Sequence, residues 1–293
     1  MQKIKQKIIN KLFAGFLLLG VSGFANSSMA SITLPWSTSF DCNAVTYRYG
    51  DTITCDGLET ISNKGFPGYI TAEANRPGSV GNGLKHNLYD GVWPDMDNSD
   101  SLGAEFTTPQ KELWFRFHIA YKNGFHWGSY EFDKWIYLYT SGYATNAIME
   151  SHHQDQCTIY AMQGMGYAAT GDGGWQTYWA GGGTNSNGSW HSVEFHIKMD
   201  TNGADGIAEY WIDGVQKASS SNVDFSGGST EARSGWTLFE IHTNQADVLN
   251  AGSIGSPSPL YYDDFAISST GYIGPISGSD IIPPVAPSGL AVS

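Results

Sequence analysis

The feature that most constrains this chain is a period-two alternation that returns in segment after segment. In Leu113-Trp-Phe-Arg-Phe-His-Ile-Ala-Tyr121, Phe115, Phe117 and Ile119 point to one side of an extended strand and Trp114, Arg116 and His118 to the other. Trp135-Ile-Tyr-Leu-Tyr-Thr140 sets Ile136 and Leu138 against Trp135, Tyr137 and Tyr139. Ser192-Val-Glu-Phe-His-Ile-Lys-Met199 alternates again, and shorter strand-like runs cover 147–152, 157–162, 207–213, 236–242 and 261–268. Turn residues separate them, among them Asp200–Gly206 and the dipeptide Asp213-Gly214. No segment beyond the first thirty residues carries a helical period. Short strands punctuated in this way predict an all-β, antiparallel two-sheet sandwich. The composition agrees: charged residues are 15% of the chain, against roughly 25% in an average soluble protein. A disordered chain or a coiled coil is thereby excluded.

Charge narrows the partners. The 15 basic and 28 acidic residues give a net charge of −13. Four of the lysines (Lys3, Lys5, Lys7 and Lys11) fall in the first eleven residues. A phosphate backbone attracts basic surfaces, so neither nucleic acid nor an anionic membrane is expected as a partner. Residues 1–30 read as a secretory signal: a lysine-rich start, an apolar run from Leu12 to Phe24, then small residues ending at Ala30. That run is too short for the roughly 20 residues of a spanning helix. A secreted or periplasmic monomer is expected, with no membrane contact once the signal is removed. The expected organisation is a signal at 1–30, one domain at 31–270, and a Gly/Ser/Pro-rich linker at 271–282. Residues 283–293, Pro-Pro-Val-Ala-Pro-Ser-Gly-Leu-Ala-Val-Ser, resemble the opening strand of a fibronectin type III module. In an oxidising compartment Cys42 and Cys55 are expected to pair across a short loop, leaving Cys157 as a buried thiol.

The non-core sides of the 113–121 and 135–140 runs carry Trp, Tyr, His and Arg in place of Lys, Glu and Ser. A concave ligand-binding sheet displays such residues. Three segments, Trp190-His-Ser-Val-Glu-Phe-His-Ile-Lys198, Glu209-Tyr-Trp-Ile-Asp-Gly-Val215 and Tyr261-Tyr-Asp-Asp-Phe-Ala-Ile267, together resemble the concanavalin A-like lectin/glucanase jelly roll. Within that superfamily they look most like secreted polysaccharide lyases of the heparin lyase I and glucuronan lyase type. The resemblance spans roughly residues 35–270 and implies a groove that binds a glycan chain, and β-elimination on an anionic, uronate-containing polysaccharide. In that chemistry a basic or polar group neutralises the uronate carboxylate, a His or Tyr removes the C5 proton, and a Tyr protonates the leaving oxygen.

Strand geometry supplies the candidates. Arg116 and His118 share one face, and Arg suits a carboxylate. Glu150-Ser-His-His-Gln154 is the densest cluster of proton-transfer groups, with Glu150 and His152 on one face and His153 beside them. Tyr137, Tyr139 and Tyr160 are available phenols. The expected catalytic set is Arg116, His118, Tyr137, Tyr139 and His152. Trp114, Trp135, Glu150, His153, Tyr160, His196, Lys198 and His242 are expected to bind substrate, with Glu194 and Glu240 on the same faces as the last three. A non-catalytic carbohydrate-binding or adhesion module is the alternative. A glycoside hydrolase comes third, because Glu131-Phe-Asp133-Lys-Trp135 lacks the last acid of the three-carboxylate strand motif of retaining glucanases. No cofactor is required. The Asp200–Gly206 turn fails the EF-hand pattern, and Asp95, Asp97 and Asp100 lack full ligand spacing. Proteins of the resembled fold often bind Ca²⁺ on the convex side, where Asp41, Asp263 and Asp264 are the candidate ligands of a structural ion.

Overall fold

The computed structural model describes residues 29–47, 51, 53, 55–61, 67–88, 101–125, 132–152, 156–161, 166–170, 179, 186–246, 252–253 and 256–276. In chain order the strands are β1 (Ser31–Ile32), β2 (Trp36–Thr38), β3 (Val45–Tyr47), β4 (Glu59–Thr60), β5 (Gly68–Thr71), β6 (Gly83–Leu88), β7 (Leu102–Gln110), β8 (Glu112–Tyr121) and β9 (Phe132–Thr140). There follow β10 (Asn146–His152), β11 (Gln156–Ala161), β12 (Gly166–Thr170), β13 (His191–Lys198), β14 (Gly206–Ile212), β15 (Val215–Val223), β16 (Trp236–Ala246), β17 (Gly252–Ser253) and β18 (Ser256–Ser268). They form two sheets, so the expected jelly-roll sandwich is the observed fold. Sheet A runs β1-β7-β16-β9-β10-β11-β12, with β4 also on β7. Sheet B runs β15-β14-β13-β8-β18-β6-β5-β3, with β2 and β17 also on β18. The short β1 pairs parallel to β7, and the other pairings are antiparallel.

The alternation read from β8 and β13 is the one the fold uses. Leu113, Phe115, Phe117, Ile119, Val193, Phe195 and Ile197 are fully buried between the sheets. They meet Phe239 of β16 and Phe265 of β18 in an aromatic core in which Phe117 stacks on Phe265 with centroids 5.4 Å apart. Such pairs add about 0.5–1.5 kcal/mol beyond the area they bury. The Asp213-Gly214 turn joins β14 to β15 as a two-residue hairpin loop, with Ile212 opposite Val215 and both turn residues at positive φ, 50° and 77°. A type I′ turn demands that conformation, and its twist matches the flanking strands.

Cys42 and Cys55 are disulfide-bonded, a closure worth about 3 kcal/mol in the chain-entropy account for a loop near this size. The acidic Asp200–Gly206 turn is held by its own carboxylates. Asp200 accepts from Gly203 N, Ser226 N and Ser226 Oγ, and Asp205 accepts from Thr201 N and Asn202 N. The expected signal through residue 28, the acidic loop with Asp95, Asp97 and Asp100, and residues 277–293 lie outside the described residues. So does the side chain of Cys157, whose backbone runs in β11.

The start of the expected linker, Gly271–Ile276, lies on the outer face of sheet B. Glu194 accepts the backbone N–H groups of Ile273 and Gly274 at 2.7 and 2.8 Å, and Tyr272 packs on Trp211 with centroids 5.2 Å apart. This part of the chain is a strap over the sheet, not a free tether.

Candidate functional site

The sequence-predicted site residues fall on two different surfaces. Trp114, Arg116, His118, Glu194, His196 and Lys198 line the outer face of sheet B on the adjacent strands β8 and β13. Tyr137, Tyr139 and Glu150 line the outer face of sheet A on β9 and β10. The aromatic core lies between, and packed sheets stand about 10 Å apart. Arg116 and His118 therefore cannot act on the same sugar as Tyr137 and Tyr139. Alternation tells which residues share a face of their own strand; it does not tell which sheet the strand joins.

On sheet B the expected catalytic pair is buried. Arg116 is buried between the carboxylates of Glu194 and Asp264, and desolvation pulls its guanidinium below its ordinary value against their opposing effect. Trp114 lies flat on His196, with centroids 4.1 Å apart and planes 5° from parallel. The ring nitrogens of His196 stand 2.7 Å from Glu209 Oε2 and 3.0 Å from Glu112 Oε1. Lys198 is opposite Glu112 at the end of β13.

The candidate calcium ligands are engaged with protein partners. At a bulge in β18, Asp264 takes a positive φ of 48°. That left-handed conformation is one that Asp tolerates, and it turns Asp263 and Asp264 to the same side. Asp263 accepts the N–H of Arg76 at 2.8 Å and of Asp264 at 2.7 Å. Asp264 Oδ2 takes the Arg76 Nε–H at 2.6 Å, so the cation beside it is a guanidinium. Asp41 accepts from Ser39 Oγ and lies with Asp56, Arg76, Arg116 and Asp264 around a cavity of about 690 Å³. Among the described residues no group of three or more His, Cys, Asp or Glu side chains is placed to hold a metal ion.

The buried histidine and aspartate of this face give a pH prediction. Burial, reinforced by the charges of Arg116 and Arg76, holds the His118 imidazole down at about 2, against 6.5 in the open chain. The unfolded state therefore binds the extra proton below pH 6.5, and stability falls as pH falls, by up to about 1.4 kcal/mol per pH unit from this residue. Asp263 opposes it: burial and the adjacent Asp264 lift its carboxyl from 3.8 to about 7, so the folded state gains stability as pH falls through that range. Replacing His118 by Gln is expected to flatten the acid-side loss of stability, read as urea midpoints across the pH series. An unchanged slope means that His118 already carries its proton in the folded protein.

Sheet A presents the denser chemistry. Register places Glu240 of β16, Tyr137 of β9, Ile148 of β10 and Tyr160 of β11 in one row across four strands. Tyr137 is 7% exposed, Glu240 7% and Glu150 3%, so the row is recessed. Tyr137 stacks on Tyr139, with centroids 5.7 Å apart and planes at 16°, and Tyr139 meets the edge of the 64%-exposed Tyr143. Desolvation, with the carboxylates of Glu240 and Glu105, raises the Tyr143 phenol above its ordinary value.

A bulge adds a residue that alternation conceals. Register with β10 jumps from the pair Met149–Ile136 to the pair Glu150–Lys134. The extra residue is Trp135, and both Trp135 and Ile136 turn into the core. Trp135 is therefore not a substrate platform: it is 0% exposed, and its Nε1 donates to Tyr121 Oη at 3.2 Å. Lys134 emerges instead on the outer face, with Nζ 5.7 Å from the centroid of the Tyr137 ring and Glu150 opposite it. The signal was in the sequence. Strict alternation would bury the Lys134 ammonium in the core, where Lys is almost never found unpaired, and a bulge resolves the conflict. His152, Tyr160 and His242 lie on β10, β11 and β16 by their backbones, with side chains outside the described residues, as is all of His153.

No protein-family model and no curated protein sequence matches the chain. Solved structures do match. Alginate lyase Aly36B superposes with a TM-score of 0.54 at 15% identity, over 81% of this chain and 97% of that one. A variant of the same lyase, with one lysine and one tyrosine replaced by alanine and alginate tetrasaccharide bound, gives 0.52 at 15% identity over the same shares. The PL-14 alginate lyase of Aplysia kurodai gives 0.44 at 10% identity, over 68% of this chain and 85% of that one. At such identities the likeness is one of fold, and the chain is a jelly-roll β-sandwich of the architecture on which alginate lyases are built.

Proposed function

We propose that this protein is an exported polysaccharide lyase that cleaves a uronate-containing chain by β-elimination on the outer face of sheet A. The observation that carries the reading is the Lys134 ammonium over the Tyr137 ring, in a recessed row beside Glu240 and Glu150. Lys134 offsets the uronate carboxylate, which acidifies the C5 proton. Tyr137, whose ring lies beside that ammonium, is the group that moves the proton. Tyr137 takes the proton from C5, the C–H electron pair becomes the C4–C5 double bond, and the glycosidic oxygen departs from C4 with the proton that the same phenol returns. Glu150 stands opposite Lys134 in the strand register. The Aly36B variant that holds alginate tetrasaccharide lacks one lysine and one tyrosine; the same two residue types meet here, which supports the assignment and a polyuronate as substrate.

The ladder of Tyr137, Tyr139 and Tyr143 favours a second reading, a surface that binds a glycan without cleaving it. The test is the ultraviolet absorbance of purified protein incubated with a panel of polyuronates and glycosaminoglycans. Elimination leaves a conjugated double bond at the new chain end. Rising absorbance with one substrate is the expected result. Silence across the panel with retardation on a glycan affinity gel selects the binding reading, and reducing ends without absorbance select a hydrolase.

A further inference from the structure

The opposite surface of the sandwich carries a second constellation suited to sugar. On the outer face of sheet B, Tyr69, Lys85, Tyr261 and Ala120 stand in one cross-strand row over β5, β6, β18 and β8. Trp190 continues it, one residue beyond the His191–Ile119 pair. At about 4.8 Å per strand the row is roughly 19 Å long. Trp190 and Tyr261 lean together over the small Ala120, with centroids 6.2 Å apart and planes at 33°. Both are half-buried, as is Tyr69. Glu73 pins the row: it accepts from Tyr261 Oη at 2.9 Å and from Lys85 Nζ at 2.6 Å, and that ammonium lies 5.6 Å from the Tyr69 ring centroid. A platform ordered before its ligand arrives binds at lower entropic cost.

Beside Trp190 opens a cavity of about 470 Å³ lined by Arg76, His118, Ser189, Ser192 and Asp213, within the size range of small-ligand sites. His118 is 5% exposed, and its Nδ1 has no hydrogen-bond partner among the described residues. The carboxylate oxygen of Asp264 is 3.8 Å away, beyond hydrogen-bond reach. The C–H face of a pyranose lies on Trp190, and its hydroxyls meet the polar groups that line the cavity.

We infer that this row and its cavity form a second carbohydrate site, which binds a pyranose chain without cleaving it. The site is independent of the chemistry proposed for sheet A. Its role is to hold the polymer while the other face of the sandwich engages a chain.

The test is affinity electrophoresis of the full chain through gels containing a polyuronate or a neutral glycan, in a Lys134→Ala/Tyr139→Ala/Tyr143→Ala background that removes the cation and the exposed part of the aromatic ladder from the sheet A face. Retardation is expected to persist in that background and to weaken roughly 2- to 10-fold on adding Trp190→Ala, with Trp190→Phe restoring most of it. Tyr69→Ala, at the far end of the row, is expected to weaken it in the same way and guards against a Trp190 variant that misfolds. Trp190→Ala alone should leave turnover of short oligosaccharides unchanged. Equal retardation of all these variants, or no retardation by any glycan, overturns the inference. Absence of unsaturated product from the parent protein overturns the lyase reading alone and leaves this site standing.

Discussion

Replacing Tyr137 by Phe lowers turnover of the polyuronate by about 10²–10⁴-fold, the range set by removal of a group that moves a proton in the transition state. The variant keeps the stacking ring and loses only the hydroxyl, so the ladder with Tyr139 survives. Substrate binding is expected to change little, and the loss falls on kcat. Lys134→Ala is expected to lose comparable activity and also to raise KM, because an ammonium that meets a carboxylate contributes in the ground state as well as in the transition state. Steady-state kinetics followed by product absorbance, with circular dichroism to show that each variant is folded, checks both. A Tyr137→Phe protein that works at the parental rate moves the chemistry off this row. Arg116→Lys supplies the contrast: Arg116 lies buried on the other sheet under the strap that includes Ile273 and Gly274, so its effect is expected in stability and not in turnover.

Trp135→Ala is expected to destabilise the fold by about 3–5 kcal/mol, the usual loss for a large aromatic removed from a core. The indole is 0% exposed, lies within 6.4 Å of the rings of Phe117, Phe195 and Trp179, and bonds Tyr121 Oη. Truncation removes these contacts and leaves a cavity between the sheets. A platform tryptophan on an open surface would cost no more than about 0.5 kcal/mol. Urea unfolding therefore separates the two readings of this residue. A parental midpoint together with weakened glycan binding restores Trp135 to the surface and removes the bulge from β9; a large drop in midpoint places it in the core.

Both predictions turn on one strand, and β9 shows where local reading stops. Its apolar and aromatic residues were enough to predict a strand, and Ile136 and Leu138 do face the core as the alternation requires. The phase then slips at Trp135, because the register with β10 and with β16 shifts at that point. A bulge is a property of paired strands. The identity of the neighbours decides it, and those neighbours come from 146–152 and 236–246. The same limit explains Arg116 and Tyr137. Each was correctly placed on the non-core side of its strand, yet β8 pairs with β13 and β18 whereas β9 pairs with β10 and β16, and the two outer faces look in opposite directions.

What the sequence determined by itself is the local part. The period of two gave the strands and their buried sides, Asp213-Gly214 gave the hairpin turn, and the low charged fraction agreed with a sandwich. These depend on residues within a few positions of one another, where side-chain direction and backbone preference act directly. The assignment of strands to sheets, the emergence of Lys134 beside Tyr137, the burial of His118 and Asp263, and the docking of the 271–276 strap on Glu194 were decided only by tertiary structure. Each depends on pairings between distant segments, such as Asp263 with His118 and Gly274 with Glu194. Such pairings form because burying two apolar faces together is favourable for the whole chain, and no local periodicity records which partners achieve it.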